Sequence, residues 1–197
     1  VVSADGQIAY TEYSHQVDLY WGAVDQPQET HQRLTSHTRN NFGGRVSPDG
    51  RHVAYHSDRS GDYEIWLLDR DTGSERNLTG HPAVDIMGDW SPDGREIVFL
   101  SSRERSLQVW VVEVESGRVR RVSEKSRAMP SEPHFSGPRW SPDGRAIGFL
   151  AAGEKEQALW SVDPQGRERA VLSGVMGFDW YRDSRQVVYT GKALDGS

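Results

Sequence analysis

The chain has 197 residues, enough for one domain or two small ones. Acidic residues outnumber basic ones, 29 to 23, for a formal net charge of −6, which argues against a nucleic-acid partner because such proteins usually present a basic face. There is no cysteine, so disulfides, thiolate metal sites and cysteine nucleophiles are excluded, and no apolar run approaches the roughly 18 residues that a membrane-spanning helix needs.

Taken in order, the chain reads as short strands punctuated by turns. Gln7 to Glu12, Asp18 to Val24 and His31 to Thr35 follow Ser3-Ala4-Asp5-Gly6. Arg51 to Ser57, Glu64 to Asp69 and Glu75 to Thr79 follow Ser47-Pro48-Asp49-Gly50. Ile86 to Trp90 leads into Ser91-Pro92-Asp93-Gly94, then Glu96 to Ser101, Leu107 to Val114 and Val119 to Ser123. Ser141-Pro142-Asp143-Gly144 precedes Ala146 to Ala151, Ala158 to Asp163 and Arg167 to Leu172. The last copy is degraded: Met176 to Trp180, Tyr181-Arg182-Asp183-Ser184 and Gln186 to Thr190.

The turn has a mechanism. Pro presets φ, Asp hydrogen-bonds nearby backbone, and Gly accepts a positive φ, so Asp49, Gly50, Asp93, Gly94, Asp143 and Gly144 are expected to be structural. Ser3, Ser47, Ser91, Ser141 and Tyr181 stand 44, 44, 50 and 40 residues apart. A fixed period of that size marks a repeat architecture. Four short antiparallel strands per repeat, stacked radially, make a β-propeller. The expectation is an all-β chain with four-stranded blades at about 1–40, 41–84, 85–134 and 135–174 and a partial fifth at 175–197, forming one array over 1–197. No window shows a sustained helical period. The second strand of a blade occurs at both ends, so an open array is expected, either part of a larger ring or completed by another copy through unpaired edges.

The Trp-Ser-Pro-Asp-Gly-Arg turn, the run from Ser57 to Trp66 and the strand end Arg76-Asn77-Leu78-Thr79 resemble TolB-type, WD-like propeller repeats over essentially the whole chain. The resemblance implies the fold strongly and function weakly, since fold does not imply function. It implies a periplasmic or other extracytoplasmic setting, and kinship with sensor proteins and with the gating propellers of prolyl-oligopeptidase-like serine peptidases.

Strand order puts the Ser-Pro-Asp-Gly turns and the hairpin turns on one face and the more variable loops on the other. Binding residues concentrate on loops held by a rigid scaffold. His37, Arg39, His81, Asp85, Lys125, Arg127 and His134 fall there and are the candidate ligand-binding residues. The longest insertion, Glu124 to Gly137, is the best single stretch for a partner contact. His52 and His56 are four apart, but on a strand their Cα atoms lie about 13 Å apart, too far for one zinc. Asp69 to Glu75 lacks the ligand pattern of a calcium loop. No metal or other cofactor is expected. There is no Gly-x-Ser-x-Gly elbow, no His-Glu-x-x-His and no phosphate loop, so no catalytic residue is nominated.

The residue before the end of each inner strand alternates in charge: Arg45, Asp89, Arg139, Asp179. Neighbouring blades would bring them together as a ladder of ion pairs. Between the sheets, Tyr55, Trp66, Trp90, Phe99, Trp110, Trp140, Phe149, Trp160 and Trp180 are the expected large core residues. The functional expectation is a non-catalytic module that recognises a protein, peptide or small ligand on its loop face within a larger TolB-like or sensor-type protein. The alternative is the gating propeller of a serine peptidase whose hydrolase domain lies elsewhere.

Overall fold

A computed structural model describes residues 7–13, 17–25, 30–36, 39–125, 137–152, 156–163 and 165–191, with the backbone alone for 7–13 and Met87. Among the described residues seventeen strands form five antiparallel sheets. The first contains β1 (Gln7–Tyr13), β2 (Val17–Ala23) and β3 (Gln32–Arg33). The second contains β4 (Asn41–Val46), β5 (His52–Ser57), β6 (Glu64–Asp69) and β7 (Glu75–Asn77), and the third β8 (Asp85–Trp90), β9 (Glu96–Ser101), β10 (Gln108–Glu113) and β11 (Val119–Arg121). The fourth contains β12 (Arg139–Trp140), β13 (Ile147–Ala152), β14 (Gln157–Val162) and β15 (Glu168–Ser173), and the fifth only β16 (Val175–Trp180) and β17 (Val187–Gly191). In each complete sheet the strands pair in chain order. The chain is an open β-propeller, as the repeat period leads one to expect.

The strands alternate inward-facing side chains between the two flanking blades, so each blade is apolar on both faces. Tyr55 and Val53 pack back onto Leu19 of the first blade. Ala54 points the other way, with Ile65 and Leu67, onto Trp90, Ile97 and Phe99 of the third. Ile86, Val98 and Val109 in turn meet Trp140, Ile147 and Phe149, and Leu150 and Leu159 meet Val175 and Phe178. The core is therefore a series of layers between sheets. Of the expected core residues, Tyr55, Trp90, Phe99, Trp110, Trp140 and Phe149 are buried, whereas Trp66, Trp160 and Trp180 are partly exposed. Beyond the fifth sheet no described residue covers Met176 and Val188, which are 67% and 68% exposed.

The Ser-Pro-Asp-Gly turns are nearly superposable in their bonding. The Ser47, Ser91 and Ser141 hydroxyls donate to the Asp49, Asp93 and Asp143 carboxylates at 2.5, 2.6 and 2.7 Å. Each hydroxyl oxygen also accepts the backbone N–H five residues on, at 2.9–3.0 Å. Gly50, Gly94 and Gly144 have φ of 73°, 71° and 70°, the left-handed region that only glycine adopts without strain. Successive turns also stack: Pro48 lies 3.7 Å from where a side chain on Gly94 would begin, and Pro92 does the same for Gly144. The degraded copy substitutes chemistry for sequence. With Tyr181 in place of Ser, the Asp183 carboxylate itself accepts the N–H groups of Arg185 and Gln186, at 2.8 and 3.0 Å. Hairpin turns sit beside these inner turns, as the bonds from Arg70 N–H to the Arg51 carbonyl and from Val114 N–H to the Arg95 carbonyl show.

Candidate functional site

The inner strands β4, β8 and β12 approach one another from successive blades, which places their side chains at the propeller axis. β4 and β8 each carry a bulge, between Phe42 and Arg45 and between Ile86 and Asp89. A bulge re-aims the side chain that follows it. Here it brings the alternating charges together. Arg45 Nε lies 3.9 Å from Asp89 Oδ1, and Arg139 Nη1 lies 3.6 Å from the same oxygen. Both distances fall inside the roughly 6 Å within which opposite charges pair, so the first two links of the expected ladder are formed. Asp179 makes no ion pair with Arg139 within 4.0 Å among the described residues, though its charge acts on Arg45 and Asp89, and its carboxylate accepts the Trp180 N–H at 2.9 Å.

These side chains are neither buried nor free. Arg45, Arg139 and Asp89 are 28%, 22% and 20% exposed. Burial, followed by repulsion from Arg139, pulls Arg45 below the usual arginine range. Burial pushes the Asp89 carboxyl up, with Arg139 and then Arg45 opposing it. The other Asp89 oxygen accepts the Trp140 N–H at 3.3 Å. Neither guanidinium donates a hydrogen bond to a described residue.

Towards the loop face the axis is flanked by an aromatic cluster. The His56 ring stacks on Phe42 at 5.7 Å and meets the edge of Tyr63 at 5.7 Å. His56 Nδ1 is buried without a hydrogen-bond partner. Burial, then the charge of Arg45, drives its pKa down to about 4, so it is neutral at pH 7. Leu100 occupies the corresponding position in the third blade, opposite Ile86 as His56 is opposite Phe42. In the sequence His56 stands out only as half of the His52 and His56 pair. Its aromatic setting depends on Tyr63, brought from the next loop, and no local signal announces that.

The sequence-nominated residues spread out. Arg39 is exposed and its carbonyl accepts from the Asn41 amide at 3.1 Å. His81 lies in the loop before β8, its Nδ1 buried without a partner. Asp85 is wholly buried and pairs with Arg103 Nη2 at 2.8 Å, an arrangement that ties a loop to its own blade. Lys125 Nζ sits 4.5 Å from the centre of the Trp160 ring. There it borders an open groove of about 620 Å³ lined by Arg121, Ser123, Glu124, Gly166 and Glu168, between the third and fourth blades. No direct contact joins Arg39, His81 and Lys125. His37, Arg127 and His134, and most of the Glu124 to Gly137 insertion, lie outside the described residues. Among the described residues no three His, Asp or Glu side chains could hold a metal ion together, and no helix is long and apolar enough to cross a membrane.

Comparison with known proteins agrees with this architecture. No curated protein sequence matches the chain. The fold is that of TolB from Acinetobacter baumannii, with a TM-score of 0.80, 21% identity, and coverage of 98% of this chain and 48% of that one. A TolB-like structure, described as putative TolB, from Agrobacterium tumefaciens gives 0.75, 23%, 97% and 73%. A puromycin-hydrolyzing peptidase from Mycobacterium tuberculosis gives 0.68, 14%, 87% and 28%. The chain thus spans about half the length of the first of these. The family profile described as the TolB beta propeller domain matches residues 1–190, and the chain belongs to that family.

Proposed function

We propose that the chain is a recognition module, acting by binding and not by catalysis, within a larger TolB-like or sensor-type protein. The carrying observation is the contrast between its two faces. The turn face repeats the same Ser–Asp bonding in three blades, with its carboxylates spent on their own backbone. The loop face and the axis behind it differ from blade to blade, with Phe42, His56 and Tyr63 in one blade and Lys125 over Trp160 in another. Invariant scaffold on one side and variable chemistry on the other is how rigid folds present binding sites. The partner is a protein, a peptide or a small ligand, and Arg39, His81 and Lys125, with His37, Arg127 and His134 of the same loops, are the positions nominated to meet it. Asp85 supports them through Arg103. Family resemblance supports an extracytoplasmic setting, and the exposure of Met176 and Val188 on the fifth sheet supports pairing with another blade or copy.

Site-specific photo-crosslinking tests this. A benzophenone amino acid placed at Arg39, His81 or Lys125 should give discrete adducts in cells, and one at Arg95 or Arg145 on the turn face should not. Adducts from the turn face alone would overturn the assignment. The second reading, a gating propeller, draws on the likeness to the peptidase, of which the chain covers 28%. A fluorophosphonate probe that labels the full-length protein would favour it.

A further inference from the structure

The axial triad holds two guanidiniums and one carboxylate. Arginine carries five N–H donors, yet Arg45 and Arg139 donate to no described residue. Their contacts with Asp89, at 3.9 and 3.6 Å, exceed hydrogen-bond length. Each is about a quarter exposed, so donors that have no acceptor among the described residues are reachable from solvent at the axis. The three side chains sum to one positive charge, and Asp179 acts on Arg45 and Asp89 electrostatically without forming an ion pair within 4.0 Å among the described residues. The next acid in the alternation, Asp179, is exposed and forms no ion pair with Arg139.

We propose that Arg45 and Arg139 together receive a carboxylate on the propeller axis, presented by a ligand entering from the loop face. The proposal rests on the reading of the chain as a recognition module and names the chemistry of what is recognised. The planar guanidinium fork matches a carboxylate in two parallel hydrogen bonds. A single negative charge neutralises the triad. A dianionic phosphate would overshoot it and meet about twice the repulsion from Asp89 and Asp179 that a carboxylate meets. Such a carboxylate belongs either to an acidic peptide side chain or to a free small acid, and the two are separable.

The experiment is a titration of the ¹⁵N-labelled full chain, followed through the arginine Nε–Hε resonances and assigned with R45K and R139K. The probes are sodium acetate, the peptide acetyl-Gly-Glu-Gly-amide, its Gln counterpart, inorganic phosphate, and sodium chloride at matched ionic strength. Acetate and the Glu peptide should give saturable shifts of both arginines. The Gln peptide and chloride should not, and phosphate should bind more weakly than acetate. Glu-peptide affinity at least tenfold above acetate assigns the carboxylate to a peptide; equal affinity assigns it to a small acid. R45K and R139K should each weaken binding about tenfold while keeping the backbone amide spectrum. If either fails to fold, R45Q or R139Q replaces it. D89N removes the competing carboxylate and should tighten acetate binding several-fold. Shifts that track chloride, that appear only at other arginines, or that weaken in D89N would overturn the proposal. Loop-face crosslinks that form in the unsubstituted protein while acetate and the Glu peptide give no saturable arginine shifts would sink this inference and leave the recognition reading standing.

Discussion

The indole Nε1 of Trp90 donates a 2.9 Å hydrogen bond to the carbonyl oxygen of Arg45, one blade back. Trp180 repeats the bond to the Arg139 carbonyl at 3.1 Å. Trp140 does not: its indole N–H is buried without a partner, and its backbone N–H goes instead to the Asp89 carboxylate. Of the three blade junctions that carry a tryptophan in this strand position, the indole bond thus pins two and leaves the middle one to the charged triad.

Trp90 and Trp140 are almost equally buried, at 7% and 9%, so they form a matched pair for measurement. Trp90→Phe should cost about 1 kcal/mol more than Trp140→Phe, the usual net value of one hydrogen bond. Trp90→Ala should cost about 3–5 kcal/mol through the cavity it leaves. Urea unfolding of the three variants checks this, and equal costs for the two Phe variants would remove the indole bond from the account.

Ser91 and Ser141 are buried, and each hydroxyl serves both a carboxylate and a strand N–H. Ser91→Ala and Ser141→Ala should each lower stability by about 1–2 kcal/mol, because a backbone donor is left unpaired. Asp183→Ala should be costly in the fifth blade, where that carboxylate holds two N–H groups by itself. A loss under about 0.5 kcal/mol at Ser91 would mean the turn is held by backbone alone.

His56 makes the fold acid-sensitive in a defined window. Unfolded, the imidazole takes a proton near 6.5; folded, only near 4. The stability it supports is complete above pH 6.5, declines as pH falls towards 4, and is gone below that, a loss of up to about 3 kcal/mol. His56→Leu, which copies Leu100, should flatten unfolding free energy between pH 6.5 and 4. Asp49, Asp93 and Asp143 have carboxyls held below the usual range, chiefly by the hydroxyls of Ser47, Ser91 and Ser141. Their stabilisation is lost only at still lower pH, so the two windows separate. An unchanged slope in His56→Leu would show that the imidazole titrates normally.

Arg105 has a φ of 71° where the preceding blade's loop places Gly61. Gly94 has a φ of 71° with only ordinary contact to Pro48. Arg105→Gly should stabilise by about 0.5–1 kcal/mol, and Gly94→Ala should destabilise by about 1 kcal/mol or more, since a side chain in left-handed backbone costs about that much. Thermal melts of both variants, read as opposite shifts of Tm, decide it.

Much of this molecule is written locally. The Ser-Pro-Asp-Gly turns were legible because every bond that closes them lies within five residues. The strands were legible because apolar alternation is a property of the strand alone, and the charge alternation of Arg45, Asp89 and Arg139 was visible because the repeat aligns equivalent positions. What stayed hidden depends on residues that meet only when blades pack. Asp85 reads as a loop-face acid until β8 forms and Arg103 folds over it. Lys125 reads as a free cation until the fourth blade supplies Trp160. His56 reads as one more strand histidine until Phe42 and Tyr63 close around it and exclude water. Blades and turns follow from local sequence alone, because they rest on short-range hydrogen bonds and periodicity. Which charges are shared or buried at the axis is settled by the packing of blades, because desolvation and Coulomb energy are set by distances across neighbouring sheets.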